Sequence, residues 1–219
     1  MKLRFEIILP VLAFILILIP LSIYSTVMDT GNITQNNTTL LNVPDVRQPS
    51  NYTSGPAALQ AVLAYYGTDV AVDELINQTN TTENGTLPDN LAQTARQKGF
   101  NAEIKENMTL QDLQQNINQG KPVIIDIQAW RNSNTTGNWT DDQSDGHYMV
   151  VIGIDNQNVY LEDPAILGSR GYIPLQEFLE RWHNTFINNK TGNNTTNNHQ
   201  GIIITGMEPS TPSLYIKIN

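Results

Sequence analysis

The 219-residue sequence predicts an α+β domain, because segments with helical periodicity come first and short apolar strand patterns bounded by turn residues follow. A further observation is an apolar run at the N-terminus, which predicts one transmembrane helix ahead of the domain. Lys2 and Arg4 precede this run, which extends from Ile7 to Tyr24 and is broken only by Pro10, Pro20 and Ser22. Residues 1–24 read as an uncleaved anchor. A removed signal segment is the alternative, with Ser25-Thr26-Val27 as a poor cleavage site. The positive flank puts the bulk of the chain outside the cytoplasm, so a cell-membrane, single-pass protein is expected. Residues 25–42 form a polar linker in which Thr, Asn and Gln dominate, too poor in apolar groups to offset the entropy of ordering. The folded domain is expected over 43–208, with a tail over 209–219.

The first helix runs from Ser54 to Tyr66. Pro56 suits an early helical position, Gly67 a left-handed stop, and Leu59, Val62, Leu63 and Tyr66 recur at three- and four-residue spacing. Helices are predicted over Val72–Gln78 and Pro88–Lys98, separated by a polar loop at 79–86. Asn101–Lys105 reads as an edge strand. Thr109 caps a helix that continues through Ile117, with Leu110, Leu113 and Ile117 on one face and Gly120 at its end. Pro122–Gln128 is a buried strand, Tyr148–Ile154 another, and Val159–Glu162 its hairpin partner. Leu175–Trp182 follows Pro174 as an amphipathic helix. Residues 184–200 read as a mobile, Asn-rich loop, and Gly201–Met207 as a last strand.

Composition narrows the function. A formal charge of −9 and the lack of a basic patch argue against nucleic acid as a partner. The absence of cysteine excludes disulfides and thiolate metal sites, and no cofactor or metal is expected. The chain carries 13 Asn-x-Ser/Thr sequons, where its 26 Asn and 31 Ser or Thr would produce roughly 4 by chance, so an exported glycoprotein is expected. Such a chain suits an archaeal cell surface.

Two blocks carry the chemistry. Gln48 precedes Ser54-Gly55-Pro56-Ala57, which opens the helix that closes with Tyr65-Tyr66-Gly67. His147-Tyr148-Met149-Val150-Val151-Ile152-Gly153 is followed by Leu161-Glu162-Asp163-Pro164. Taken alone, Ser54 suits either a capping hydroxyl or a nucleophile held at the positive end of a helix dipole. The order and spacing of these blocks, over roughly residues 43–184, resemble the C39 and C39-like peptidases of the papain-like superfamily. The resemblance implies a papain-like fold, with an N-terminal helical part packed on a mostly antiparallel sheet. It also implies a catalytic set in which Ser54 stands at the nucleophile position, His147 is the base, Asp163 its partner and Gln48 an oxyanion donor. That family has cysteine where this chain has Ser54, and Thr53 stands where an acidic residue is often found. A peptide or protein is the implied partner. No Gly-x-x-x-x-Gly-Lys-Ser/Thr motif occurs, so no ATP-binding domain is expected in this chain.

The set makes a demand on strand register. A three-residue turn at Asp155-Asn156-Gln157 pairs Ile154 with Asn158 and Met149 with Asp163, placing His147 and Asp163 diagonally on one face. A two-residue turn puts them on opposite faces unless a bulge intervenes. The nucleophile leaves two outcomes open. A serine hydroxyl does not ionise beside histidine as a thiol does and depends on close base geometry, so the domain either hydrolyses peptides with a Ser/His/Asp set or is catalytically inactive and only binds them. A structural cell-surface domain is the third reading. Asp141-Asp142-Gln143-Ser144-Asp145-Gly146 lacks the closing Glu of a calcium loop, Ile152 standing in its place, and reads as a solvated loop. His183 and His199 have no ligand-spaced partners, and Trp130 and Trp139 flank a polar loop beside the expected cleft.

Overall fold

Ten of the twelve residues of helix α1 (Ser54–Tyr65) are buried, so α1 is enclosed all round rather than along the single stripe its periodicity predicts. Ala57, Ala58 and Ala61 are fully buried and keep the helix thin enough for close neighbours, while Leu59, Val62 and Leu63 fill the core. At its end, Gly67 takes φ +87°, and the Tyr65 and Tyr66 hydroxyls donate to the Gly120 and Ile204 carbonyls at 3.0 and 2.9 Å. The computed structural model describes residues 40–131, 137–187 and 194–206. The expected anchor over 1–24, most of the linker and the tail lie outside these residues. No helix among the described residues is long and apolar enough to cross a membrane.

Helices α2 (Val72–Gln78) and α3 (Pro88–Gln97) pack on α1, and α4 (Leu110–Asn118) packs on the sheet. A capping box starts α4: Thr109 Oγ1 accepts from the Asp112 N–H, and the Asp112 carboxylate accepts from the Thr109 N–H. The sheet joins β1 (Asn101–Lys105), β8 (Gly201–Thr205), β2 (Val123–Gln128), β3 (Gly146–Ile154), β4 (Asn158–Glu162) and β5 (Gly171–Pro174) in that spatial order. Every neighbouring pair is antiparallel, and α1 crosses β3 and β2. The class is thus α+β with an antiparallel sheet. Helix α5 (Leu175–Arg181) packs against β5 and against a 3-10 turn at Trp139–Asp141. The turn signals did not reveal β5, a four-residue edge strand.

Two expectations change. The hairpin between β3 and β4 pairs Ile154 with Val159, one residue longer than the expected turn, and a bulge between Val151 and Gly153 restores Val150↔Glu162. The extra residue is Ile152, whose carbonyl accepts from the Leu41 N–H at 2.8 Å. Residues 184–200 are not a loop throughout, because β6 (His183–Ile187) pairs with β7 (Asn194–Asn198) as a two-stranded sheet. Tertiary contacts override the polar composition there. Phe186 is buried, the Gln128 amide donates to the His183 carbonyl and to Asn184 Oδ1, both at 3.1 Å, and Asn184 Nδ2 donates to Asp126 at 2.9 Å.

Candidate active site

Ser54 is the first residue of α1 and is buried, but it does not cap the helix. The N-cap is Thr53, whose hydroxyl closes a turn by accepting from the Ser50 N–H at 3.0 Å and donating to the Ser50 carbonyl at 2.8 Å. Pro56 has no N–H and the Ala57 N–H reaches the Thr53 carbonyl, which leaves the N–H groups of Ser54 and Gly55 as the helix's free donors among the described residues. They sit at the positive end of the dipole. Gly55 avoids a tight fit, since a Cβ there would lie 3.1 Å from both Thr86 Oγ1 and Tyr148 Cδ2.

The Ser54 hydroxyl accepts from the backbone N–H of Tyr148 at 3.2 Å, so Ser54 is bonded to the residue that follows His147. Strand β4 has ended by this point, its last pair with β3 being Val150↔Glu162. Continuing that offset sets Asp163 opposite Met149, diagonal to His147. The two side chains meet, with His147 Nε2 2.6 Å from Asp163 Oδ1, both groups buried. The tautomer follows from the donors around Asp163. Trp130 Nε1 donates to Oδ2 at 3.0 Å and the Ala165 N–H to Oδ1 at 2.9 Å. Neither can accept, so an ionised Asp163 accepts from all three groups, an arrangement that assigns the His147 proton to Nε2. Nδ1 is left as the basic nitrogen. Among the described residues no hydrogen bond joins it to Ser54.

Trp130 reaches Asp163 at the cost of a left-handed backbone, φ +60°, unfavourable for a bulky residue. Trp130 was not singled out by sequence for this bond, and its position two residues past the end of β2 was the available signal. Gln48 is tied to the same corner, where its N–H donates to the Pro164 carbonyl at 3.0 Å. Its side-chain Oε1 is buried without a hydrogen-bond partner. Histidine and aspartate are therefore joined directly, while serine and glutamine are attached through backbone groups next to them.

Two hollows flank this constellation. One, of about 330 Å³, is lined by Ser54, Asn51, Glu83, Thr86, Asp126 and Tyr148 among others. The other, of about 320 Å³, is lined by Asp163, Trp130, Met149, Trp139, Tyr172 and Arg181 among others. In it the guanidinium groups of Arg131 and Arg181 lie 3.7 and 3.6 Å from the Trp139 ring centre. Among the described residues no cluster of three or more His, Cys, Asp or Glu is arranged to hold a metal ion.

Two buried carboxyls were not foreseen. Burial pushes Asp126 up to about 8, opposed by the Asn184 amide and the nearby N–H groups of Ile127 and His147. Burial likewise raises Glu162 to about 7 against its bond from the Val46 N–H. Both groups stay neutral in the fold at pH values where the unfolded chain has ionised. The stability they contribute is complete below about pH 4 and is lost as pH rises through 7 to 8. Asp126→Asn is thus expected to gain on the wild type between pH 5 and pH 8.5, by about 4 °C in melting temperature, read by circular dichroism. Parallel melting curves for the two proteins would contradict the assignment.

The sequence profile described as the Peptidase_C39 like family matches residues 40–186. An uncharacterized protein of Methanothermobacter marburgensis is 34% identical over 121 residues, 55% of this chain and 71% of its own length. Among solved structures, a C39-like peptidase from Bacillus anthracis superimposes with a TM-score of 0.58 at 18% identity, covering 79% of this chain and 99% of its own. The peptidase domain of Streptococcus ComA, a bi-functional ABC transporter of a quorum-sensing pathway, gives 0.53 at 20% identity and covers 73% and 96%. A double glycine motif protease from an AMS/PCAT transporter, solved with its leader peptide, gives 0.51 at 22% and covers 78% and 94%.

Proposed function

The chain belongs to the Peptidase_C39 like family, and from that premise we propose that it hydrolyses peptide bonds with Ser54 as nucleophile. The observation that carries the reading is the buried His147–Asp163 pair, whose bonding pattern leaves the basic nitrogen Nδ1 free beside the residue that holds Ser54. Ser54 Oγ attacks the amide carbonyl carbon while its proton passes to His147 Nδ1. The resulting oxyanion is received by the Ser54 N–H and the Gln48 amide. His147 then returns the proton to the departing amine, and water releases the acyl group from Ser54 by the same steps in reverse. Ser54 must turn from the Tyr148 N–H to His147 for the first step, and such bonds commonly tighten only around substrate.

Peptide is the ligand class, as it is for the solved relative bound to its leader peptide. The domain is proposed to lie outside the cytoplasm, anchored through residues 1–24. The sequon asparagines Asn51, Asn77, Asn80, Asn84, Asn107 and Asn138 are all exposed, as glycan carriers must be. One observation favours a second reading, peptide binding without cleavage: the serine hydroxyl is engaged by Tyr148 and not by histidine. Incubation with a peptide library, analysed by mass spectrometry, separates the two. Hydrolysis requires new termini in the presence of wild type that vanish with Ser54→Ala. Intact peptides in both would leave binding alone.

A further inference from the structure

Asp126 interrupts the apolar run of β2, and the hydrolytic steps do not use its carboxyl. The side chain is 4% exposed. Its Oδ2 accepts from Asn184 Nδ2, while Oδ1 is buried with no hydrogen-bond partner. Asp126 lines the same hollow as Ser54, and Glu83 stands exposed among its other lining residues. No Lys, Arg or His is among the described residues that line it. The charged and titratable groups facing the space are Asp126, Glu83 and the phenols of Tyr52 and Tyr148, the latter donating away to the Thr86 carbonyl. The neighbouring bases are engaged elsewhere: His147 by Asp163, His183 by the Asp142 carbonyl, and Arg131 and Arg181 by Trp139 in the other hollow.

A buried carboxyl with one oxygen unpartnered, at the wall of a cleft open to ligand, is held neutral and ionises only when a second donor reaches it. Asn184 does not supply a second one. Its amide is fixed by Gln128 and sits so close to Gly146 that a Cβ there would fall 2.3 Å from Asn184 Nδ2. That donor comes from outside, and a cation serves best, since its charge lowers the carboxyl's affinity for its proton, the proton leaves to solvent, and a charge-assisted bond forms in its place. About 330 Å³ is at the small end of ligand pockets and accommodates one extended side chain. The net charge of −9 adds a long-range attraction of the same sign.

We propose that the hollow beside Ser54 is a subsite for a basic side chain, with Asp126 receiving the Lys or Arg of a peptide laid across the nucleophile. This specifies the substrate class and rests on the peptidase reading of the site. The peptide's ammonium or guanidinium donates to Oδ1 at the floor, while Glu83 attracts it at the rim. Asn184 holds the carboxyl in place through Oδ2.

The test measures binding separately from cleavage. Dansyl-labelled, capped alanine pentapeptides carrying Lys, Arg, norleucine or Glu at each position in turn are titrated into the Ser54→Ala protein, read by fluorescence anisotropy. At one position Lys or Arg is expected to bind at least about tenfold tighter than norleucine, the size of a charge-assisted bond in a buried site. Adding Asp126→Asn is expected to lower the Lys peptide to the norleucine level, with the fold checked by circular dichroism. Equal affinities for Lys and norleucine at every position would overturn the subsite without recourse to the second variant. So would a Lys preference that survives Asp126→Asn. The two proposals fail separately: Lys-dependent binding without wild-type cleavage retains the subsite and removes the hydrolase, and cleavage indifferent to basic residues does the reverse.

Discussion

The Ser54→Cys thiol is expected to be alkylated by iodoacetamide as a thiolate at neutral pH, with an apparent pKa at least about two units below the free value of about 8.5. Three features of the site act together on it. The thiol would stand at the first position of α1, where the Ser54 and Gly55 N–H groups are unpaired and the dipole is positive. Next to it is an imidazole whose Nε2 proton is committed to Asp163, so that Nδ1 is the site that takes up the thiol proton. Sulfur is also larger than oxygen and shortens the gap to that nitrogen. Adding His147→Ala removes the proton acceptor and should return the titration most of the way to about 8.5. A thiol that titrates normally in both backgrounds would mean that Ser54 and His147 do not act together.

Asp163→Asn is expected to lower peptide hydrolysis about 10³- to 10⁴-fold while leaving the melting temperature within a few degrees of wild type, the loss being one of tautomer more than of structure. Asp163 accepts from Trp130, Ala165 and His147, and the first two can only donate. Those two donate to different oxygens, Trp130 to Oδ2 and Ala165 to Oδ1, so an asparagine whose one oxygen stays on Trp130 turns its amide nitrogen towards Ala165 and His147. Its amide nitrogen then faces Nε2, whose lone pair must turn to meet it. The ring proton moves to Nδ1 and the base is lost. Trp130→Phe removes one donor only and should cost far less. In the Ser54→Cys background Asp163→Asn should also raise the thiol pKa, which separates the tautomer effect from a defect in substrate binding. Full activity in Asp163→Asn would show that the carboxylate does not orient the ring.

Much of the domain was legible because local signals and burial agree. Pro56 and Gly67 bound α1, and Thr109 opens α4 through its own hydroxyl. The offset between His147 and Asp163 follows from the turn after Ile154, and β4 reaches that offset by another route. The turn is one residue longer, and the bulge at Ile152 removes the difference. A bulge whose carbonyl is satisfied by Leu41, more than a hundred residues earlier in the chain, leaves no mark on local periodicity. The same holds for β6. Asn184 and Asn197 read as solvated residues in an Asn-rich stretch, but both are buried and hydrogen-bonded. Trp130 was visible only as an aromatic in a polar loop, because its bond to Asp163 depends on a left-handed backbone that propensity disfavours. Asp126, by contrast, was detectable as a lone charge within Val-Ile-Ile-Asp-Ile.

Treatment of the folded protein with a biotinylated fluorophosphonate, followed by tryptic mapping, asks whether the Ser54 hydroxyl is activated by its neighbours. The probe phosphonylates serine only where a base takes the proton as the oxygen attacks phosphorus. An adduct on Ser54 that is lost in His147→Ala is the predicted result. A wild-type protein that stays unmodified at Ser54, or a label that persists without His147, would contradict a nucleophile driven by the His147–Asp163 pair.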